Sequence, residues 1–381
     1  MKNKYEFGSK ILESFLSVKN TERNIDLFSG FLAGIENEET IRKLYEKFLR
    51  DTDEPSFAFQ LIKYINPELE DFLNLIKLCK DNSLHISNFL SFSYGYNFKN
   101  LDDEEIKNLL NEISKYNSLG KWTCISLIYT MTFRDNSEWS TYRDIAISII
   151  QSENLLLSKT DVQVEGTHWK QIVLRVLDEN TQDDFICYVA SNIIEYCEKE
   201  FFVYRADTLL RPILENLLTN HFALTWPIIS RAFIGDYRLF WNIKSLFESG
   251  FLNSSGFIFN IPENEELIKT WIRSNPDLAP QRMANIMPVT SIDSEQSKWH
   301  PISKMIIDDY GSNKKVLSEI DSNMGTFGES GSLVHYYEDQ LKMLTILKDH
   351  KIPEVSSWVG KMITYTEKQI KREKLKDEEW G

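Results

Sequence analysis

Tyr336–Lys371 reads YYEDQLKMLTILKDHKIPEVSSWVGKMITYTEKQIK. Leu341, Leu344 and Leu347 recur at helical spacing, and so do Val355, Trp358, Val359 and Met362. Between the two sets stand Asp349, His350 and Pro353, the residue types of a turn. The pattern predicts one helix ending near Leu347 and a second starting near Glu354. The two run antiparallel, with their apolar faces turned toward each other. A lone pair of this kind leaves its outer sides uncovered, so stability requires a similar pair stacked on either side.

Working outward, the same periodicity recurs. Ile41, Leu44, Tyr45, Phe48 and Leu49 form one stripe, and Ile106, Leu109, Leu110 and Ile113 another. Leu209, Leu210, Ile213, Leu214, Leu217 and Leu218 form a third, each the apolar face of a helix. Strand-like alternation is confined to Val162–Val164 and Phe257–Ile261. Asn37 or Glu38 suits the start of a helix over 38–50, Pro67 separates two stripes, and Asp102 or Asp103 caps the stripe beginning at Ile106. Gly250 and Gly311 each follow a stripe, where a left-handed residue belongs.

Helices of about 10–18 residues result, roughly sixteen to eighteen of them, with pairs recurring at about 35–45 residues. That interval is the range of HEAT and armadillo units. The predicted fold is all-α, an α-solenoid of antiparallel helix pairs, a HEAT/armadillo-like superhelix. Proline is missing between Pro67 and Pro212 and punctuates the second half from Pro212 onward. The stretch SKTDVQVEGTH at 158–168 reads as a loop, dividing N-terminal helical repeats (1–160) from HEAT-like repeats (161–381). A second loop is expected at Gly325–Ser332, and Thr366–Trp380 reads as a charged closing helix that caps the last repeat.

The net charge of −14 disfavours nucleic acid and anionic membranes as partners, because both need a basic footprint. No apolar run approaches the roughly 20 residues that span a bilayer, and MKNKYEFGSKILESFL lacks the apolar core of a signal peptide. Cys79, Cys124, Cys187 and Cys197 are scattered on apolar stripes and read as buried reduced thiols, so a cytoplasmic setting is expected.

No pattern demands catalysis. There is no H-E-x-x-H, and Gly120–Lys121 is a P-loop fragment without the earlier glycine, followed by Trp122. His335 and Glu338 stand one turn apart but lack the second motif of a di-metal bundle. Gly328–Ser332 has the wrong spacing for a nucleophile elbow, and Ser332 suits a helix cap better. The acidic runs at 102–105, 263–266, 308–309 and 377–379 sit at helix ends, where capping explains them. No metal or cofactor is expected. Trp139, Trp169 and Trp299 flank loops and are the candidate protein-binding residues, with core packing as the alternative. The remaining tryptophans that fall on stripes read as core.

LKDHKIPEVSSWVGKMI resembles a HEAT repeat, whose turn carries an Asp, a Pro and a Val at this relative spacing. The wider segment from about Trp226 to Gly381 is similar to the C-terminal helical region of bacterial STAND or NACHT-type NTPases and related anti-phage defence proteins. The residues that carry the likeness are IPENEELIKTW (261–271), NPDLAPQRMANIMPV, WHPISKMIIDDYG (299–311) and H-x-x-P-x-V-x-x-W at His350–Trp358, with the closing IKREKLKDEEW. The resemblance implies a helical-repeat region that senses or binds another protein, without an activity of its own. It suggests a phage protein or a defence-system subunit as partner, and a sensor or scaffold role. The alternative is an enzyme with an unrecognised site, such as a HEAT-like nucleic-acid-modifying protein with a basic groove.

Overall fold

The computed structural model describes residues 38–50, 55–81, 84–92, 98–133, 136–158, 163–178, 182–200, 207–247, 262–291, 298–324 and 332–380, with a few positions before residue 38. The chain divides into two compact units, 1–176 and 177–381. Both are built of α-helices that stack on their sequence neighbours, as in a helical solenoid.

In the first unit the helices are α1 (Glu38–Arg50), α2 (Ser56–Leu61), α3 (Leu69–Lys80), α4 (Asp103–Ser114), α5 (Ser118–Thr132), α6 (Asn136–Gln151) and α7 (Gln163–Leu177). Helix α1 spans the expected 38–50. Helix α4 starts as read from the sequence: Asp102 accepts from the Glu105 amide at 2.9 Å, and Glu105 accepts from the Asp102 amide at 3.0 Å, a reciprocal capping box. Helix α5 is apolar nearly all round and buries Trp122 and residues 123–128, so it runs through the centre of its layer. Its start approaches the end of α4 so closely that a Cβ on Gly120 would lie 2.2 Å from the Ile113 carbonyl oxygen. That contact, rather than phosphate binding, accounts for the glycine before Lys121. Phe59, Phe72, Phe89, Phe92 and Phe98 interlock in mostly edge-on pairs, three of them from the segment that follows α3, which includes a 3-10 turn at Ile86–Phe92.

The second half of the stretch expected to be a loop, from Gln163, is helical and belongs to α7. Val164 is therefore in a helix, not a strand. The division between units falls after Val176, close to the end of α7, whereas the sequence places it at 160/161.

The second unit contains α8 (Asp183–Lys199), α9 (Asp207–Asn220), α10 (Phe222–Phe233), α11 (Tyr237–Phe247), α12 (Pro262–Ser274), α13 (Ala279–Ile286), α14 (Pro301–Tyr310), α15 (Lys314–Met324), α16 (Val334–Ile346) and α17 (Pro353–Trp380). The described strand residues are β1 (Thr290–Ser291) and β2 (Lys298–Trp299), paired antiparallel, which the sequence did not signal. The alternation at 257–261 lies outside the described residues, as do Gly250 and positions 325–331.

Pro262, Pro301 and Pro353 open helices, where a missing amide costs nothing. Pro212 and Pro227 instead lie inside α9 and α10; the stripe read as one helix face over Leu209–Leu218 runs through Pro212. Each forfeits one backbone bond, and the buried stripes around them keep the helices intact. Gly311 is also corrected. It ends α14 in the right-handed region, φ −66° and ψ −9°. The need is for space: a Cβ there would lie 2.3 Å from Val355 Cγ2. Thr366–Trp380 is not a separate helix but continues α17, which runs 28 residues, about 42 Å.

Many side-chain bonds between helices join residues about 35–45 positions apart. Tyr116 donates to the Cys79 carbonyl 37 residues back, Tyr142 to Asp103 at 39, and Arg175 to the Thr132 carbonyl at 43. In the second unit Asn216 donates to Asp178 at 38, Asn242 to Cys197 at 45, Gln281 to Glu319 at 38, and Trp299 to Met343 at 44. This is the repeat the sequence predicts at about 35–45 residues. The similarity lies in position and not in residue type, so the period is hard to see in the letters alone.

Candidate functional site

Helix α11, YRLFWNIKSLF, is held by polar side chains that reach carbonyls at the ends of neighbouring helices. Asp236 opens it by accepting from the Leu239 amide at 2.8 Å. Asn242, buried on the inner face, donates to the carbonyls of Cys197 (2.8 Å) and Glu200 (3.0 Å) at the end of α8. Arg238 donates to the Glu198 carbonyl, and Arg211 of α9 to the Ser245 carbonyl at 3.1 Å. Arg282 of α13 donates to the carbonyls of Phe233 (3.0 Å) and Gly235 (2.8 Å), with its guanidinium 4.7 Å from the Phe240 ring. Cations suit these carbonyls, because a helix C-terminus carries partial negative charge.

Leu239, Phe240, Ile243, Leu246 and Phe247 point into the core. Tyr237 and Trp241, one turn apart, point away from it. They are 70% and 40% exposed, and their rings meet edge-on at 5.7 Å. Lys244, itself buried, places its ammonium 4.2 Å from the centre of the Trp241 ring and holds the indole in place. Two large, pre-positioned aromatic rings open to solvent on a fixed helix are the side chains that dominate protein–protein contacts.

The three tryptophans expected to bind protein lie elsewhere. Trp139 is buried beside Arg175, whose guanidinium is 4.6 Å from its ring. Trp169 is 1% exposed. Trp299 is buried and donates from Nε1 to the Met343 carbonyl at 2.9 Å. Their burial supports the alternative reading, core packing. Trp241 falls within an apolar stripe and from the sequence alone reads as core. The signal that separates it is angular. Positions 239, 240, 243, 246 and 247 make the inward stripe, and 237 and 241 fall together on the other side.

The ionisable groups read as chemistry candidates are engaged in structure. Glu338 is ion-paired with Lys374 at 2.9 Å, and Ser332 donates to Asp377. His350 Nε2 lies 3.0 Å from Asp308, which also takes Lys304 at 2.6 Å. Burial pushes the Asp308 carboxyl up, but Lys304 and His350 outweigh it and hold the group below the usual carboxylate range. His350 Nδ1 accepts from the Ile352 amide at 3.2 Å, so the ring ties the turn before α17 to α14. Cys79, Cys124 and Cys197 are buried, and burial pushes the Cys79 and Cys197 thiols up to about 12. These are inert thiols, since the thiolate is the nucleophile. Among the described residues no group of three His, Cys, Asp or Glu is placed to hold a metal ion, and no helix is long and apolar enough to cross a membrane.

Comparison with protein-family models, with curated proteins and with solved structures returns no match.

Proposed function

We propose that this chain is a non-catalytic helical-repeat protein that binds another protein, and that the outer face of α11 is its docking site. The exposed Tyr237–Trp241 pair carries the reading. The helix beneath it is fixed by Asn242, Arg238, Arg211 and Arg282, so the rings are presented without further ordering. The ionisable groups described above serve caps, ion pairs and helix ties, which supports binding over turnover. The resemblance of 226–381 to defence-protein repeat regions supplies the setting we propose: a sensor or scaffold subunit of bacterial anti-phage defence, in the cytoplasm, with a phage protein or a partner subunit as ligand.

The test is quantitative pull-down by the full chain from phage-infected and uninfected bacterial cells, alongside Tyr237→Ser/Trp241→Ser. We expect a defined protein retained by the wild type and reduced at least about tenfold by the double variant, the loss of one aromatic hot spot or more. Hydrolysis or nucleic-acid cleavage by the pure chain, abolished by a single point change, would refute the non-catalytic reading. Equal retention by both proteins would refute the site.

A further inference from the structure

The two sides of the 28-residue helix α17 differ. Val355, Val359, Thr366 and Glu373 are buried and mark its inner side. Lys361, Tyr365, Lys368, Arg372 and Leu375 form a second line, and all five are exposed. Their spacing alternates between four residues and three, so the line runs nearly straight along the helix for about 21 Å. This is the period on which a second helix packs. Tyr365 and Leu375, 53% and 61% exposed, leave large apolar surfaces in water at two points of the line. The acids of α17 stand mostly at its ends: Glu354 in the first turn, and Asp377, Glu378 and Glu379 in the last. Glu367 stands one turn before Lys371, on the flank of the line. Two further cations are matched, Lys374 with Glu338 at 2.9 Å and Lys376 with Glu373. Among the described residues no carboxylate lies within ion-pair distance of Lys361, Lys368 or Arg372.

A helix laid on this line would cover three cations, which is costly unless it brings counter-charges to them. We propose that the exposed line of α17 is a second docking surface, and that its occupant is an acidic amphipathic helix of a partner protein. Carboxylates of that helix face Lys361, Lys368 and Arg372, and its leucine or aromatic side chains pack on Tyr365 and Leu375. The charge pairs fix its register, and the apolar contacts add affinity. A nucleic-acid strand matches the line less well. Its charge is continuous and would run on past the carboxylates at either end of α17, in a chain of net charge −14. A helix places its carboxylates only where the cations stand.

A displayed library of three-heptad helical peptides, randomised on one face and selected on the full chain with counter-selection on Lys368→Glu/Arg372→Glu, tests this directly. The expected yield is peptides with Asp or Glu at alternating spacings of three and four, and leucine or an aromatic residue among them. Their affinity should drop at least about tenfold in Lys368→Glu/Arg372→Glu, about threefold in Lys361→Glu, and at least about threefold between about 0.05 and 0.5 M salt. It should be unchanged in Tyr237→Ser/Trp241→Ser, which separates this surface from the face of α11. Circular dichroism of each variant, matching the wild type, shows that the losses are not unfolding. Enriched peptides that are neutral or basic overturn the acidic occupant, and no enrichment over the counter-selected variant overturns the surface itself. A poly(dT) oligonucleotide that binds the full chain and is released by Lys368→Glu/Arg372→Glu overturns the proposal in favour of nucleic acid. A dimer in light scattering that the same variant dissolves overturns it in favour of a second copy of this chain.

Discussion

Replacing Gly311 by alanine adds one methyl group where α14 meets α17. Its Cβ would stand 2.3 Å from Val355 Cγ2 and 2.4 Å from the Ile307 carbonyl oxygen. Neither neighbour gives way easily: Val355 is fully buried, and the Ile307 oxygen accepts the Gly311 amide at 3.0 Å. The backbone angles of Gly311 suit alanine, so removing a glycine would by itself stabilise the fold by about 0.4–1 kcal/mol through the unfolded chain. Overpacking a fitted contact costs about 1–3 kcal/mol. The difference predicts a net loss of about 1–2 kcal/mol. Gly360→Ala is the matched control. It lies within α17 with nothing within 4 Å of the added Cβ, and should gain about 0.5–1 kcal/mol. Urea unfolding of the two variants at unchanged slope measures both. If Gly311→Ala equals or exceeds the wild type while Gly360→Ala behaves as expected, the close packing of α14 on α17 is wrong.

Trp169→Ala, emptying a site that is 1% exposed, should cost about 3–5 kcal/mol by the same assay, and a loss below 1 kcal/mol would contradict its burial. Ellman's reagent should modify Cys187, the half-buried thiol, well before the other three, and all four only after denaturation; rapid reaction of Cys124 in the native protein would contradict its burial. The depressed Asp308 pKa gives stability that is present above the ordinary carboxylate value of about 3.9 and is lost as pH falls through the lower folded value. Urea midpoints should therefore converge between wild type and Asp308→Asn as the pH drops through that window; a gap that stays constant down to the lowest pH would exclude the linkage.

Most of the architecture is legible in the letters because it rests on short-range rules. The spacing of Ile106, Leu109, Leu110 and Ile113, the Asp102 cap and the Pro353 start each act within one or two turns, and the helices appear where those signals fall. What failed needed knowledge of a neighbour. Gly311 reads as a turn residue until Val355 is seen against it. Pro227 reads as punctuation until the buried stripe around it in α10 is known. The β1–β2 pair is two residues long on each side, too short for alternation to register. The burial of the loop-flanking tryptophans is hidden from the sequence for a related reason. Flanking a loop in sequence is a poor guide to exposure in stacked helices, where packing partners distant in sequence decide it. Trp139, Trp169 and Trp299 are all buried, whereas Trp241 is 40% exposed on the side of α11 away from its inward stripe.

The bonds that span one repeat also bear on how the chain acquires its shape during synthesis. Many of the cross-helix ties described above join residues 37 to 45 positions apart. At ribosomal speeds of about 5–20 residues per second, each partner emerges about 2–9 s after the residue it will hold. Each rung of either unit can then close while the next is still being made, and the nascent chain never carries more than about one uncovered layer of apolar surface.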